Sequence, residues 1–157
     1  MQKCDTAKTV AHVKFFFEND FWHYINQGGA HITQLSSPQM DLAGGGHSNT
    51  NGTEKALISE MSRAEQARYT AETILLAVND CTDYESSKHK TIIRNSYIDN
   101  VPDFQLEAML GFSNYQVRKE KKQAAIEFAE RLNFWKKYRN INDLPDLLYF
   151  KSTNFRR

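Results

Sequence analysis

The spacing of apolar side chains constrains the fold of this chain more than any other feature. Apolar residues recur every three or four positions in several long segments, which is the period of an α-helix with a buried face. Over residues 6–27 the residues at this spacing are Val10, Val13, Phe17, Phe21 and Tyr24. No segment alternates between apolar and polar residues over a useful length, as a half-buried strand would. The sequence therefore predicts an all-α fold, a helical bundle.

The first predicted helix is rich in aromatic residues. Phe15, Phe16, Trp22 and Ile25 widen its apolar surface beyond a single stripe. A helix with such a surface is buried on more than one side or docks a partner. Core packing is the favoured interpretation, and a dimer interface is the alternative.

Two further helices are predicted over residues 53–80 and 83–100. In the first, Thr53 suits an N-cap, and a seven-residue apolar rhythm is broken only at Arg68. That face either packs within the molecule or forms a seam between subunits, and the sequence leaves both open. The second helix is expected to end at Asn100. Residues 44–52, which are rich in Gly, Ser and Asn, have the composition of a flexible linker.

These segments divide the chain into four regions. We predict an N-terminal helix and flexible linker over residues 1–52 and central helices, with a candidate role in dimerisation, over residues 53–100. A helix-turn-helix is predicted over residues 101–135, and a C-terminal tail over residues 136–157.

The helix-turn-helix is indicated by residues that begin and end two consecutive helices. A short first helix is predicted over Asp103–Leu110. Pro102 lies where the first turn of a helix tolerates it, because its missing amide hydrogen would be unpaired there anyway. Gly111 suits the left-handed position after the helix, and Ser113 caps the next helix. The apolar side of the short first helix consists of Phe104, Leu106, Met109 and Leu110. The second helix, predicted over residues 113–132, is the one expected in the major groove of DNA.

The two sides of this predicted recognition helix differ in chemistry. At about 100° per residue, Val117, Ala124, Phe128 and Leu132 share the side expected to face the core. The other side carries amides, a phenol and cations. The residues predicted to bind DNA are Asn114, Tyr115, Gln116, Arg118, Lys119, Lys121 and Lys122.

These residue types match the chemistry of DNA recognition. Arg can donate two hydrogen bonds to guanine, and Asn or Gln can make two with adenine. The side chains assigned to base edges are therefore Asn114, Tyr115, Gln116 and Arg118. Lys neutralises phosphates and releases counterions, so Lys119 and Lys122 are assigned to the backbone, which Lys121 reaches from the side.

The distribution of charge supports this assignment. The net charge is only +1, but residues 1–100 hold 9 Lys and Arg against 12 Asp and Glu, whereas residues 101–157 hold 11 against 7. A basic C-terminal third on a nearly neutral chain fits a local binding surface for phosphates.

Two segments of the tail admit alternatives. Residues 133–139 interleave aromatic and cationic side chains, which could stack on bases. The favoured interpretation is that the recognition helix continues and packs Trp135 on the core. Residues 144–150 are expected to dock, either on the protein itself or on a partner.

Several short motifs resemble one protein family. The strongest are Tyr97-Ile98, the turn at residues 110–113 and residues 124–129, and weaker ones lie at residues 35–41 and at Thr53-Glu54. In these motifs the chain resembles the ArpU-like phage transcriptional regulators of Gram-positive bacteria, which are related to the RinA-type late-gene activators. The family pattern favours an aromatic residue where this chain has Val117.

This resemblance implies a specific function. It implies a helix-turn-helix like sigma-factor region four, and control of phage late genes for packaging or lysis. We therefore expect a sequence-specific DNA-binding activator, a homodimer that works on double-stranded DNA beside RNA polymerase. The alternative is a protein-interaction module of a mobile element that binds a host or phage protein.

Other classes of function find little support in the sequence. The five histidines lack ligand spacing with a Cys or carboxylate partner, so we predict no metal and no cofactor. Since no Ser or Cys stands out as a nucleophile, no catalytic residue is assigned and an enzyme is not expected. No apolar run approaches the roughly 20 residues that cross a bilayer. The expected location is the cytoplasm of a bacterial host cell, with no membrane partner.

Overall fold

The computed structural model describes residues 2–29 and 62–152, and these are mostly helical. We number the α-helices in chain order: α1 Thr6–Phe15, α2 Phe21–Gln27, α3 Arg63–Asn79, α4 His89–Ile92, α5 Asp103–Leu110 and α6 Asn114–Tyr138. Two π-helical segments, Phe16–Asp20 and Ile93–Ile98, follow α1 and α4 directly. The described residues contain no β-strand beyond two isolated bridges, so the all-α prediction is confirmed. The predicted linker over residues 44–52 and the predicted cap at Thr53 lie outside the described residues.

The helix predicted over residues 6–27 is present as α1, the π-helical segment and α2. Asp5 caps it by accepting a hydrogen bond from the Lys8 N–H at 3.2 Å. The wider π turn shifts the helix register, and Phe16, Phe17 and Phe21 are all buried. The favoured interpretation of its aromatic residues, core packing, therefore holds for these three side chains.

The prediction of one continuous helix over residues 53–80 is wrong, because Ser62 interrupts it. Residues 53–61 lie outside the described residues. Ser62 has an extended backbone, and α3 begins at the next residue. The Ser62 hydroxyl accepts from the Glu65 N–H at 3.3 Å, and the Glu65 carboxylate accepts from the Ser62 N–H at 2.9 Å. This capping box satisfies amides at the helix end and fixes the boundary there. Ala71, Leu75 and Val78 are fully buried, so this part of the predicted face packs within the molecule, whereas Ala64 and Arg68 are exposed.

The helix predicted over residues 83–100 also begins later than expected. Tyr84 and Ser87 exchange two backbone hydrogen bonds in a turn, and α4 starts only at His89. Further along, Asn100 has a φ of 54°, a left-handed conformation that Asn tolerates and that cannot continue a helix. The predicted end of this helix is therefore confirmed, whereas the turn at residues 84–87 replaces its predicted first turns.

One hydrophobic cluster draws residues from both described parts of the chain, and α6 lies at its centre. The Phe128 ring lies 4.8 Å from the Phe17 ring and 6.0 Å from the Phe16 ring, measured between centroids. The cluster also contains Ile74 from α3 and Ile92 from α4. None of the described helices combines the length and the apolar character needed to span a membrane.

The end of the chain returns to its beginning. The Asp5 N–H donates to the carbonyl oxygen of Tyr149 at 2.7 Å, and the Lys151 N–H donates to that of Lys3 at 2.9 Å. The buried side chains of this returning segment include Leu144 and Leu147. The segment predicted to dock over residues 144–150 thus docks on the protein itself.

Candidate nucleic-acid interface

Three residues set the two ends of α5 and the start of α6. Pro102 has an extended backbone and occupies the N-cap of α5, and the helix runs over Asp103–Leu110, as predicted. Gly111 ends α5 with a φ of 67°, as predicted. Ser113 begins α6 through a capping box, in which its hydroxyl accepts from the Gln116 N–H at 3.2 Å. The two helices are therefore fixed by local hydrogen bonds and by one glycine conformation.

Only part of the predicted apolar side of α5 is buried. Leu106 is fully buried and Leu110 packs against the hydrophobic cluster. Phe104 and Met109 are 68% and 57% exposed, so their predicted place in the core is wrong. This helix of eight residues packs against the rest of the molecule along one side only. Side chains on its other sides lie in solvent even when they are apolar.

The inner face of α6 agrees with the prediction. Its buried side chains include Val117, Ala124, Phe128 and Leu132. The helix extends to Tyr138, beyond the predicted end at residue 132. Trp135 packs against the cluster and donates from Nε1 to an oxygen of Asp80 at 3.0 Å, so the favoured interpretation of residues 133–139 is confirmed.

The outer face of the first turns of α6 is open to solvent. Tyr115 is 73% exposed, and Arg118, Lys119 and Lys122 are exposed as well. Among the described residues, the side chains of these four form no hydrogen bond or ion pair. The described part of the tail lies along residues 3–9, and it leaves Arg118 and Lys119 exposed.

The two amides predicted to contact bases are exposed but already have partners. Asn114 Nδ2 donates to the Glu107 carboxylate at 2.6 Å. Gln116 Oε1 accepts from the Ser113 N–H at 2.9 Å, as the second half of the capping box. A contact with adenine uses one N–H and one oxygen lone pair of an amide, and each of these amides keeps a second N–H and a second lone pair. Their present partners nevertheless fix the orientation of both side chains.

Lys121 differs from the other predicted cations. It is partly buried, and its Nζ donates to an Asp103 carboxylate oxygen at 2.8 Å. This ion pair joins the start of α5 to the second turn of α6. Its geometry favours a role in holding the two helices together.

The opposite side of α6 is held by a polar cluster around Glu127. One carboxylate oxygen of Glu127 accepts from the Thr82 N–H at 2.8 Å and from the Thr82 hydroxyl at 2.7 Å. His89 lies between two carboxylates, with Nδ1 against Glu127 and Nε2 3.0 Å from Glu120. Burial opposes ionisation of Glu127, but the hydrogen bonds from His89 and Thr82 outweigh it and lower the pKa of this carboxyl.

The sequence gives little sign of this cluster. His89 and Glu127 are 38 positions apart, and only tertiary packing brings them together. The one available signal is the spacing of Glu120 and Glu127, which places both on one side of a helix. Within residues 2–29 and 62–152, no group of His, Cys, Asp or Glu side chains could hold a metal ion.

Comparison with known proteins finds no relative of this chain. No family of known proteins, no curated protein and no solved structure matches the chain. The resemblance to the ArpU-like regulators therefore stays a prediction made from short motifs.

Proposed function

We propose that the chain binds double-stranded DNA and regulates transcription, with α5 and α6 acting as a helix-turn-helix. The observation that carries the proposal is the two-sided chemistry of α6. Val117 and Phe128 anchor the helix inward, while Arg118, Lys119 and Lys122 are exposed and unpaired within the described residues. Side chains placed in this way can enter a major groove without any movement of the core.

The free energy of binding in such a complex would come largely from contacts between cationic side chains and DNA phosphates. Three unpaired cations lie within two turns of α6, and each phosphate they neutralise releases counterions from DNA. Arg118 is also the side chain best suited to guanine, since its guanidinium can donate two parallel hydrogen bonds. Tyr115, at the exposed start of the helix, can reach a base edge or a sugar.

The finer parts of the proposal come from the resemblance to the ArpU-like family. They are a likeness to sigma-factor region four, activation of phage late genes for packaging or lysis, a homodimer, and RNA polymerase as a further partner in the bacterial cytoplasm. The exposed Phe104 and Met109 on α5 offer an apolar surface for a protein partner. The same surface supports the second candidate, a protein-interaction module of a mobile element.

The test compares three variants with the parent protein on a library of DNA duplexes at two salt concentrations. Arg118→Ala is expected to cost about 1–3 kcal/mol on preferred sequences and to relax the preference. Lys122→Ala should weaken all duplexes alike and reduce the salt slope by about one. Lys137 is an exposed lysine near the other end of α6. Lys137→Ala removes the same charge and should change neither the affinity for duplexes nor its salt slope appreciably.

The outcomes separate the two candidates. If Arg118→Ala and Lys122→Ala bind every duplex as the parent does, the cations of α6 do not contact DNA. If the parent retains no duplex at low salt, while Phe104→Ala abolishes capture of a purified partner, the interaction module is the better description.

A further inference from the structure

A cavity of about 400 Å³ opens beside the cationic face of α6. It lies between the first helix, the π-helical segment after α4, and the start of α5 and α6. Its volume falls within the range of pockets that bind small molecules. Neither the fold nor the proposed contact with DNA requires this cavity.

Part of the cavity wall is aromatic. Tyr97 lines it and is partly exposed, and the Phe17 ring, only 2% exposed, lies behind it with the two ring centroids 5.5 Å apart. Burial, with a smaller contribution from Asp103, raises the pKa of Tyr97 to about 12, so its phenol stays protonated. The hydroxyl has no hydrogen-bond partner among the described residues and is therefore a free donor at this wall. Such a surface suits a flat ring that carries an acceptor.

The rest of the lining has an excess of positive charge. It holds the four cations Lys14, Arg118, Lys121 and Lys122, against two carboxylates. Lys121 is paired with Asp103 at 2.8 Å, and Lys14 lies 3.9 Å from Glu18. Arg118 and Lys122 have no such partner within the described residues, so an anion in the cavity would meet two unpaired cations.

We propose that this cavity binds a small ring-bearing organic phosphate, about the size of a nucleoside monophosphate. The ring would lie against Tyr97, which Phe17 supports from behind, and the phosphate would accept hydrogen bonds from Arg118 and Lys122. This inference goes beyond the proposed function. Since the same two cations are predicted to contact DNA, the bound phosphate would compete with DNA and act as an effector.

The experiment is calorimetric titration of the full chain, without DNA, by adenosine monophosphate, adenosine and inorganic phosphate in turn. The monophosphate is expected to bind at least about tenfold more tightly than either fragment, because only it uses both parts of the cavity. Phosphate binding as tightly as the monophosphate would mean surface attraction of anions alone. Adenosine binding as tightly would mean an apolar cleft alone. Either result, or no binding of the monophosphate, would overturn the proposal.

Variants locate the binding. Arg118→Gln and Lys122→Gln remove exposed charges, and each is expected to weaken the monophosphate about tenfold. Lys137→Gln is the matched control and should leave the affinity unchanged. Equal affinities in all three variants would place the ligand elsewhere and refute the assignment.

A separate titration with DNA keeps the two proposals distinct. The monophosphate should displace a bound duplex from the parent protein. If the chain binds the monophosphate but no duplex, the cavity proposal stands and the DNA proposal fails. If the chain binds a duplex but not the monophosphate, the reverse holds.

Discussion

Replacement of Glu127 by Gln tests how α6 is held against the rest of the molecule. The side chain keeps its size but loses its charge, while Thr82 and His89 still face it. A hydrogen bond to a charged group contributes about 1 kcal/mol more than a neutral one, and Glu127 accepts three. The ion pair with the half-exposed Arg131, at 3.6 Å, adds little. We expect the free energy of unfolding to fall by about 2–3 kcal/mol.

Urea denaturation followed by circular dichroism measures this difference. For a chain of this length, the loss corresponds to a fall in Tm of about 5–10 °C. Glu130→Gln is the matched control, because Glu130 is exposed on the same helix and forms no hydrogen bond or ion pair within the described residues. Glu127→Gln and Glu130→Gln variants of equal stability would refute the reasoning.

The same variant predicts a pH dependence. The folded-state pKa of Glu127 is lowered, so its contribution to stability is fully present above the ordinary carboxyl value of 4.5. The contribution is lost as the pH falls from there through the lowered pKa, because a protonated Glu is as neutral as Gln. The stability difference between the parent and Glu127→Gln should therefore shrink in this acid range. A difference that stays constant well below the lowered pKa would mean that charge is not its source.

Three further predictions concern single positions. Gly111→Ala has open space around the new Cβ, so its cost is that of the left-handed backbone, about 1–2 kcal/mol of unfolding free energy, and an unchanged Tm would contradict it. Gly28→Ala places a Cβ 2.5 Å from the Cβ of Ala71 and should cost about 1–3 kcal/mol through overpacking, measured by urea denaturation. Burial, above all, raises the pKa of the Cys81 thiol to about 12, so at mildly alkaline pH mass spectrometry should find it unmodified by iodoacetamide until denaturant is added. Rapid alkylation of Cys81 in the native protein would show that this region opens.

The elements that the sequence predicted correctly are those that local chemistry determines. Gly111 and Ser113 end one helix and begin the next through contacts within a few residues. The inward face of α6 follows from the period of an α-helix alone. By contrast, the buried position of Glu127 and the return of the tail to Asp5 depend on residues far apart in the chain. Periodicity carries no information about such pairs.

Errors at helix boundaries have a related cause. The prediction over residues 53–80 followed the apolar rhythm through Ser62, although Ser62 and Glu65 have the spacing of a capping box. The exposed Phe104 and Met109 show a different error, in predicting burial rather than a helix boundary. Their hydropathy suggested a core position, but whether an apolar side chain is covered depends on which neighbour packs against that side of a short helix.

The contacts of the candidate interface bear on what kind of DNA binding it can support. The cations Arg118, Lys119 and Lys122 are free among the described residues, whereas Asn114 and Gln116 already hold Glu107 and the N–H of Ser113. Contact of these cations with phosphates therefore requires no rearrangement. The amides keep a second N–H and a second lone pair for adenine, but their present partners fix how they are oriented. If an amide had to turn to face a base, the broken hydrogen bond would cost about 0.5–1.5 kcal/mol, a large part of the about 1–3 kcal/mol that a good base contact contributes. It follows that discrimination between sequences should depend mainly on Arg118 and Tyr115, and that the amides add to it only where a base lies in the direction they already face.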